Sequence, residues 1–246
     1  MPPAPSGRGH IFFLGMPVIR RYTIVYDFDG TLLPMEPWDS EQALLMSWLE
    51  GRRPALPAWR RLYCRLVVEA DRRGWLQRSF KRHYLRFLRG TPEGLLDRVA
   101  ARLAARIPPE DRSALCALKS RGHRLILCSC GTADLSERIL AACGVLPCFE
   151  AVFANRFVFQ GGLVSGMRLE VPSGRAKREL MQSLGIDPAG TVSVGDGATD
   201  LPLWDWSAVA VVVDRSGAAR ARFSRRPYHF VSSSAEVLGI VTRLGG

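Results

Sequence analysis

Tyr22-Thr-Ile-Val-Tyr26-Asp27-Phe-Asp29-Gly-Thr31 is the stretch on which the fold turns. Its first five residues are β-branched or aromatic, the composition of a strand buried on both faces, and the run stops abruptly at Asp27. Two carboxylates spaced i, i+2 behind such a strand stand where open parallel sheets gather their reactive groups, at the carboxyl ends. Working outward, similar apolar runs recur at residues 124–128, 151–154, 191–194 and 209–213. Helical patterns over residues 134–143 and 175–184 separate the later runs, the second closed by Gly185 and followed by Pro188. Strand, helix, strand at this spacing predicts an α/β fold built on a Rossmann-like parallel sheet.

Residues 34–108 read differently. Trp59, Leu62, Tyr63, Leu66, Val67 and Ala70 keep helical spacing, as do Leu76, Phe80, Tyr84, Phe87 and Leu88, then Leu95, Leu96, Val99 and Leu103. No strand pattern appears there, so a helical block interrupts the α/β core immediately after its first strand. The expected organisation is a loose N-terminal extension (1–21), a core from 22–33 and 109–246, and an inserted helical cap (34–108). Met16 offers a second start within that extension.

With 47% hydrophobic and 23% charged residues over 246 positions, the composition is that of an ordinary globular protein and excludes fibrous or tail-like classes. The net charge of +11 is unusual and is almost wholly arginine, since Lys81, Lys119 and Lys177 are the only lysines. It is also local: residues 34–108 carry 15 basic and 8 acidic side chains, and residues 1–21 carry three arginines and no acid. Such an excess suits an anionic partner, and a codon bias toward arginine explains it equally well. The six cysteines contain no C-x-x-C pair and read as reduced thiols of a cytoplasmic protein. Residues 11–18 are apolar but broken by Gly15 and Pro17, far short of the roughly 20 residues that span a bilayer.

Three strand ends carry chemistry: Asp27, Asp29 and Thr31 after the first run, Ser129-Cys130-Gly131 after residue 128, and Gly195-Asp196-Gly-Ala-Thr-Asp200 after residue 194. Lys177 opens a helix. Clustered carboxylates need a hard cation, and Mg²⁺ takes oxygen ligands while leaving room for a phosphate. With that charge neutralised, one carboxylate can attack phosphorus while another protonates the leaving alkoxide. A serine hydroxyl and backbone N–H groups can hold phosphoryl oxygens.

In this order and spacing, Asp27-x-Asp29-x-Thr31, Ser129, Lys177 and Gly195-Asp196-x-x-x-Asp200 resemble the four motifs of the haloacid dehalogenase superfamily of phosphatases, over residues 22–214. Within it the chain is similar to phosphoserine phosphatase-type members, through Phe153-Ala-Asn155-Arg156 and the hairpin that runs to Gly166. The resemblance implies that Asp27 is the nucleophile and a metal ligand. Asp29 is then the general acid/base and lends its backbone carbonyl to Mg²⁺, Asp196 is the third ligand, and Asp200 supports the site. Thr31, Ser129, Cys130 and Lys177 would bind the phosphoryl group, Thr31 also positioning Asp29 and Lys177 neutralising Asp27. Glu36, Lys81, Arg82 and Thr199 are expected to face the rest of a small phosphorylated substrate, and the helical insertion to close over it. Ser129-Cys130-Gly131 departs from the usual S-G-G, and Thr199 stands where those enzymes carry an Asn.

Each motif has a plainer reading. D-x-D-G is good turn chemistry, G-D-G-A-T-D could be a turn and helix cap, Lys177 a solvated helix residue and Glu36 a solvated loop acid. Their joint placement at strand ends favours catalysis. Phosphoryl transfer to an acceptor alcohol remains open beside hydrolysis. A basic protein that binds nucleic acid or anionic lipid is the competing class. Nucleic acid is not expected, because the arginines are scattered through amphipathic helices without an aromatic platform.

Overall fold

The computed structural model describes residues 20–52, 55–76, 79–224 and 226–245. The expected extension up to residue 19, Met16 included, and Arg78 lie outside the described residues. In chain order the elements are β1 (Thr23–Tyr26), α1 (Ser40–Arg52), α2 (Ala58–Arg72), α3 (Phe80–Leu88), α4 (Gly94–Ala104), α5 (Pro109–Ser120), β2 (Arg124–Thr132) and α6 (Ala133–Ala142). There follow β3 (Ala151–Gln160), β4 (Leu163–Arg168), α7 (Gly174–Ser183), β5 (Thr191–Gly195), α8 (Leu201–Trp204), β6 (Val209–Val213), α9 (Ala218–Phe223), β7 (His229–Val231) and α10 (Ser234–Gly245).

The strands form one sheet in the order β4-β3-β2-β1-β5-β6-β7, with β1 central and parallel to β2 and β5. The period of two explains why β1 reads as a continuous apolar run. Ile24 and Tyr26 are buried in the main core on one face, while Val25 packs on the other with Ile126, Cys128, Val171 and Met181. Only β4 runs antiparallel to its neighbour, joined to β3 by Gly161 and Gly162 at φ +56° and +73°. Positive φ at both turn positions is what a tight hairpin requires, and glycine adopts it without strain.

Two strands outrun their expected ends. β2 continues past Cys128 to Thr132 through a register shift, because the Asn155 amide on β3 donates to the carbonyls of Cys130 (2.7 Å) and Gly131 (3.2 Å). β3 reaches Gln160 because β4 folds back against it. Of the expected extension, Arg20 and Arg21 are described. Arg20 donates to the Ala189 carbonyl (2.9 Å) and stacks over Tyr22, which is buried.

Four helices, α1 to α4, stand between β1 and α5, and the apolar core runs unbroken from the sheet into them. Tyr84 stacks between Phe80 and Phe157 at centroid distances of 5.5 and 5.6 Å, which locks α3 on β3. Backbone hydrogen bonds from Gly90 to Val164 (2.8 Å) and from Glu93 to Gly162 (2.9 Å) tie the insertion to the hairpin. Among the described residues no helix is long and apolar enough to cross a membrane.

Candidate active site

The crevice lies where β1, β2 and β5 end side by side. The Asp27 N–H donates to the Val194 carbonyl (2.9 Å), so the first acid is fixed by the ladder that ends there, and its side chain is buried. Ser173 caps α7 by accepting from the Ala176 N–H (3.3 Å), and the first turn of that helix drives Lys177 into the crevice. Lys177 is 0% exposed; its Nζ lies 2.9 Å from Asp27 Oδ1 and 2.7 Å from Asp200 Oδ1. Burial works against its ammonium, yet Asp200 and Asp27 outweigh that cost and hold the pKa well above the usual lysine value.

Asp200 organises the third loop. Its Oδ2 accepts the N–H groups of Asp196 (3.2 Å) and Gly197 (3.3 Å), so the chain wraps around it. The packing leaves no room for side chains at two glycines. A Cβ on Gly195 would meet Asp200 Cγ at 2.2 Å, and one on Gly30, at φ +79°, would meet Asp196 Oδ2 at 2.1 Å. Asp27, Asp196 and Asp200 thereby offer carboxylate oxygens within 4.8 Å of one another.

One ammonium does not balance this set. Burial first, then the neighbouring carboxylates, pushes Asp196 well above the ordinary range. Burial likewise brings Asp200 to about 6 despite Lys177. Surplus buried negative charge on hard oxygen donors fits a divalent cation of the Mg²⁺ type.

Asp29 is held by Ser40. Its Oδ1 accepts the Ser40 N–H (2.7 Å) and its Oδ2 the Ser40 hydroxyl (2.8 Å), so the carboxylate sits on the first turn of α1. Burial raises its pKa to about 7, the Ser40 bonds working in the opposite direction and Glu41 and Asp27 adding to the rise. Thr31 does not hold Asp29: its hydroxyl is buried without a partner, and its carbonyl accepts from Arg215 (3.2 Å), which also pairs with buried Asp111 (2.6 Å). Ser40 is the positioning group that sequence reasoning missed. The available signal was Asp39, whose carboxylate caps α1 through the Gln42 N–H (2.7 Å) and so marks Ser40 as the first helical residue.

From β2, Ser129 is buried and accepts the Gly131 N–H (3.1 Å). A Cβ on Gly131 would stand 3.2 Å from Asp29 Oδ2 and 3.4 Å from Ser129 Oγ, so these two expected site residues do converge. Burial pushes the Cys130 thiol up to about 11, which keeps it neutral and leaves its backbone as the useful part.

The residues expected around the rest of the substrate are less gathered. Glu36 is exposed and, with Gly30, Asp196 and Arg215, lines a cavity of about 350 Å³ beside the crevice. Thr199 and Arg82 are exposed. Lys81 is half-buried and engaged: its ammonium pairs with Glu41, which also accepts the Thr132 hydroxyl. Glu41 is 6% exposed and was not singled out in the sequence, since an acid in a helix's first turn ordinarily faces water.

Comparison with known proteins agrees with this geometry. The chain is 26% identical over 199 residues to a phosphoserine phosphatase of Polaromonas sp. (strain JS666), covering 76% of this chain and 77% of the relative. It is 28% identical to a phosphoglycolate phosphatase of Caulobacter vibrioides, covering 72% of each. A substrate-bound phosphoserine phosphatase structure shares the fold at TM-score 0.67 and 19% identity, covering 89% of this chain and 98% of that one. Residues 24–205, from the second residue of β1 to just past α8, match the haloacid dehalogenase-like hydrolase family, and the chain belongs to that family.

Proposed function

We propose that the protein is an Mg²⁺-dependent phosphomonoester hydrolase of small phosphorylated metabolites in the cytoplasm, working through an aspartyl-phosphate on Asp27. The observation that carries this reading is the arrangement of Asp27 and Asp29: one on buried Lys177, the other on the first turn of α1 with its pKa near neutral. With the Lys177 ammonium 2.9 Å from Asp27 Oδ1, a carboxylate oxygen of Asp27 attacks phosphorus and the ester P–O bond breaks. Asp29, with a pKa of about 7, gives its proton to the leaving alkoxide and then takes one from the water that attacks the phosphorus of the intermediate. That second displacement frees inorganic phosphate and restores Asp27.

Asp27 and Asp196 would hold the metal with the Asp29 carbonyl, and Asp200 would brace them. When bound, Mg²⁺ neutralises the phosphate dianion against the carboxylates. Ser129 and the N–H groups at residues 130 and 131 are the groups for the phosphoryl oxygens. The named activities of the two relatives, on phosphoserine and phosphoglycolate, support a phosphomonoester and leave a phosphoserine-like substrate within reach.

The test is a panel of phosphoserine, sugar phosphates and glycerol phosphate, assayed with Mg²⁺ and with EDTA, for wild type and Asp27→Asn. Hydrolysis should require metal and fall by about four orders of magnitude in the variant. Persistent turnover in Asp27→Asn would refute the mechanism. Counting free phosphate against phosphorylated acceptor alcohol distinguishes hydrolysis from transfer.

A further inference from the structure

Helix α2 is apolar on two opposite faces. Cys64, Val67 and Val68 are buried, as expected of an amphipathic helix. On the outer side Trp59, Leu62 and Leu66, at i, i+3 and i+7, are 66%, 59% and 56% exposed, and Trp75 just beyond the helix is 70% exposed. Isolated exposed leucines are ordinary; a helical stripe of Trp59, Leu62 and Leu66 is the pattern of an interaction surface. Exposed Arg65, Arg72 and Arg73 border it; Arg72 (3.1 Å) and Arg73 (2.7 Å) share Glu69 as a solvent-accessible partner that headgroup phosphates can replace, and Arg73 stacks on Trp75 with its guanidinium 5.2 Å from the ring centroid.

We propose that this outer face of α2 docks the protein on an anionic lipid surface. The charge selects the occupant. A second copy packed on the same face would set arginine against arginine across a two-fold axis, in a segment that carries 15 basic and 8 acidic residues. The N-terminal tail enters the fold at Arg20, which is bound to the carbonyl of Ala189 ahead of β5, at the sheet end opposite the crevice and the insertion. An anionic bilayer satisfies both parts of the stripe: tryptophan and leucine enter the headgroup boundary while arginine heads remain with lipid phosphates. At 15 residues α2 lies on such a surface and does not cross it.

The experiment is co-sedimentation of the full chain with vesicles of phosphatidylglycerol and phosphatidylcholine, and with phosphatidylcholine alone, beside gel filtration without lipid. The protein should pellet with the anionic vesicles, much less with the neutral ones, and progressively less as salt rises. The triple variant W59S/L62S/L66S should lose at least about ten-fold in partitioning at an unchanged thermal midpoint, and R65E/R73E should lose a similar factor. Failure of the wild type to pellet with anionic vesicles overturns the proposal, as does equal binding by the triple variant. A wild-type dimer that the triple variant converts to monomer assigns the face to a second copy instead. Vesicle binding that appears only after residues 1–19 are deleted assigns it to the tail.

Discussion

The crevice and the helical insertion hold charge in opposite ways. In the crevice a single lysine, 0% exposed, is set against buried carboxylates at 2.7 and 2.9 Å. In the insertion most of the described cations lie outside: Arg52, Arg65, Arg72, Arg73, Arg82, Arg86, Arg98 and Arg102 are exposed, whereas Arg60, Arg61, Lys81 and Arg106 are half-buried. Its inner side is acidic, with Asp39, Glu41 and Asp71 clustered behind α1 and Lys81 already paired to Glu41. Desolvation makes the buried Lys177 decisive, whereas surface charges are screened within about 8–10 Å. Net charge, therefore, says little about the chemistry here; the depth of each charge says most.

The sharpest way to break this contrast is Lys177→Met. It should cost about four orders of magnitude in turnover and, by leaving Asp27 and Asp200 without their partner, about 3–5 kcal/mol of stability, read by urea titration. A variant that keeps its stability would mean that the buried pair is not what organises the crevice.

Next in size is the coupling of metal to pH. Asp29 and Asp200 titrate at about 7 and about 6 in the fold, above the ordinary 3.8, so between these limits the folded state binds more protons than the unfolded chain. In EDTA the thermal midpoint should fall as pH rises from about 4 to about 7, and Mg²⁺ should restore it at the upper end. A midpoint that rises over that range in EDTA contradicts the charge surplus.

Ser40→Ala removes a hydroxyl that lowers the Asp29 pKa but leaves the backbone N–H in place. Turnover should fall about ten-fold and the limb of the pH–rate profile due to Asp29 should move upward. An unshifted profile would deny Ser40 its positioning role. The smallest effect belongs to the outer arginines. Exchanging Arg82 and Arg86 for serine should lower kcat/KM about two-fold at low salt and not at all at high salt. A loss that persists at high salt would show direct contact with substrate.

What the sequence determined by itself was everything written in local periodicity. The apolar run ending at Asp27 made β1 a buried central strand, the 3.6-residue spacing after residue 34 made the insertion helical, and the strand ends pointed to Asp27, Asp29, Ser129 and Asp196 as candidates, with Lys177 at a helix start. The Asn155-Arg156 segment and its hairpin were legible too, but not that Asn155 would extend β2 to Thr132. Tertiary structure alone decided the partners. Ser40 takes Asp29 in place of Thr31, Glu41 takes Lys81 and reaches Thr132 across 91 positions, and Arg106 turns in to the Trp38 carbonyl while most other described arginines of the insertion face outward. The physical reason is that a strand or helix is dictated by neighbours a few residues away, whereas a buried polar group is satisfied by whichever distant group the packing brings within about 3 Å.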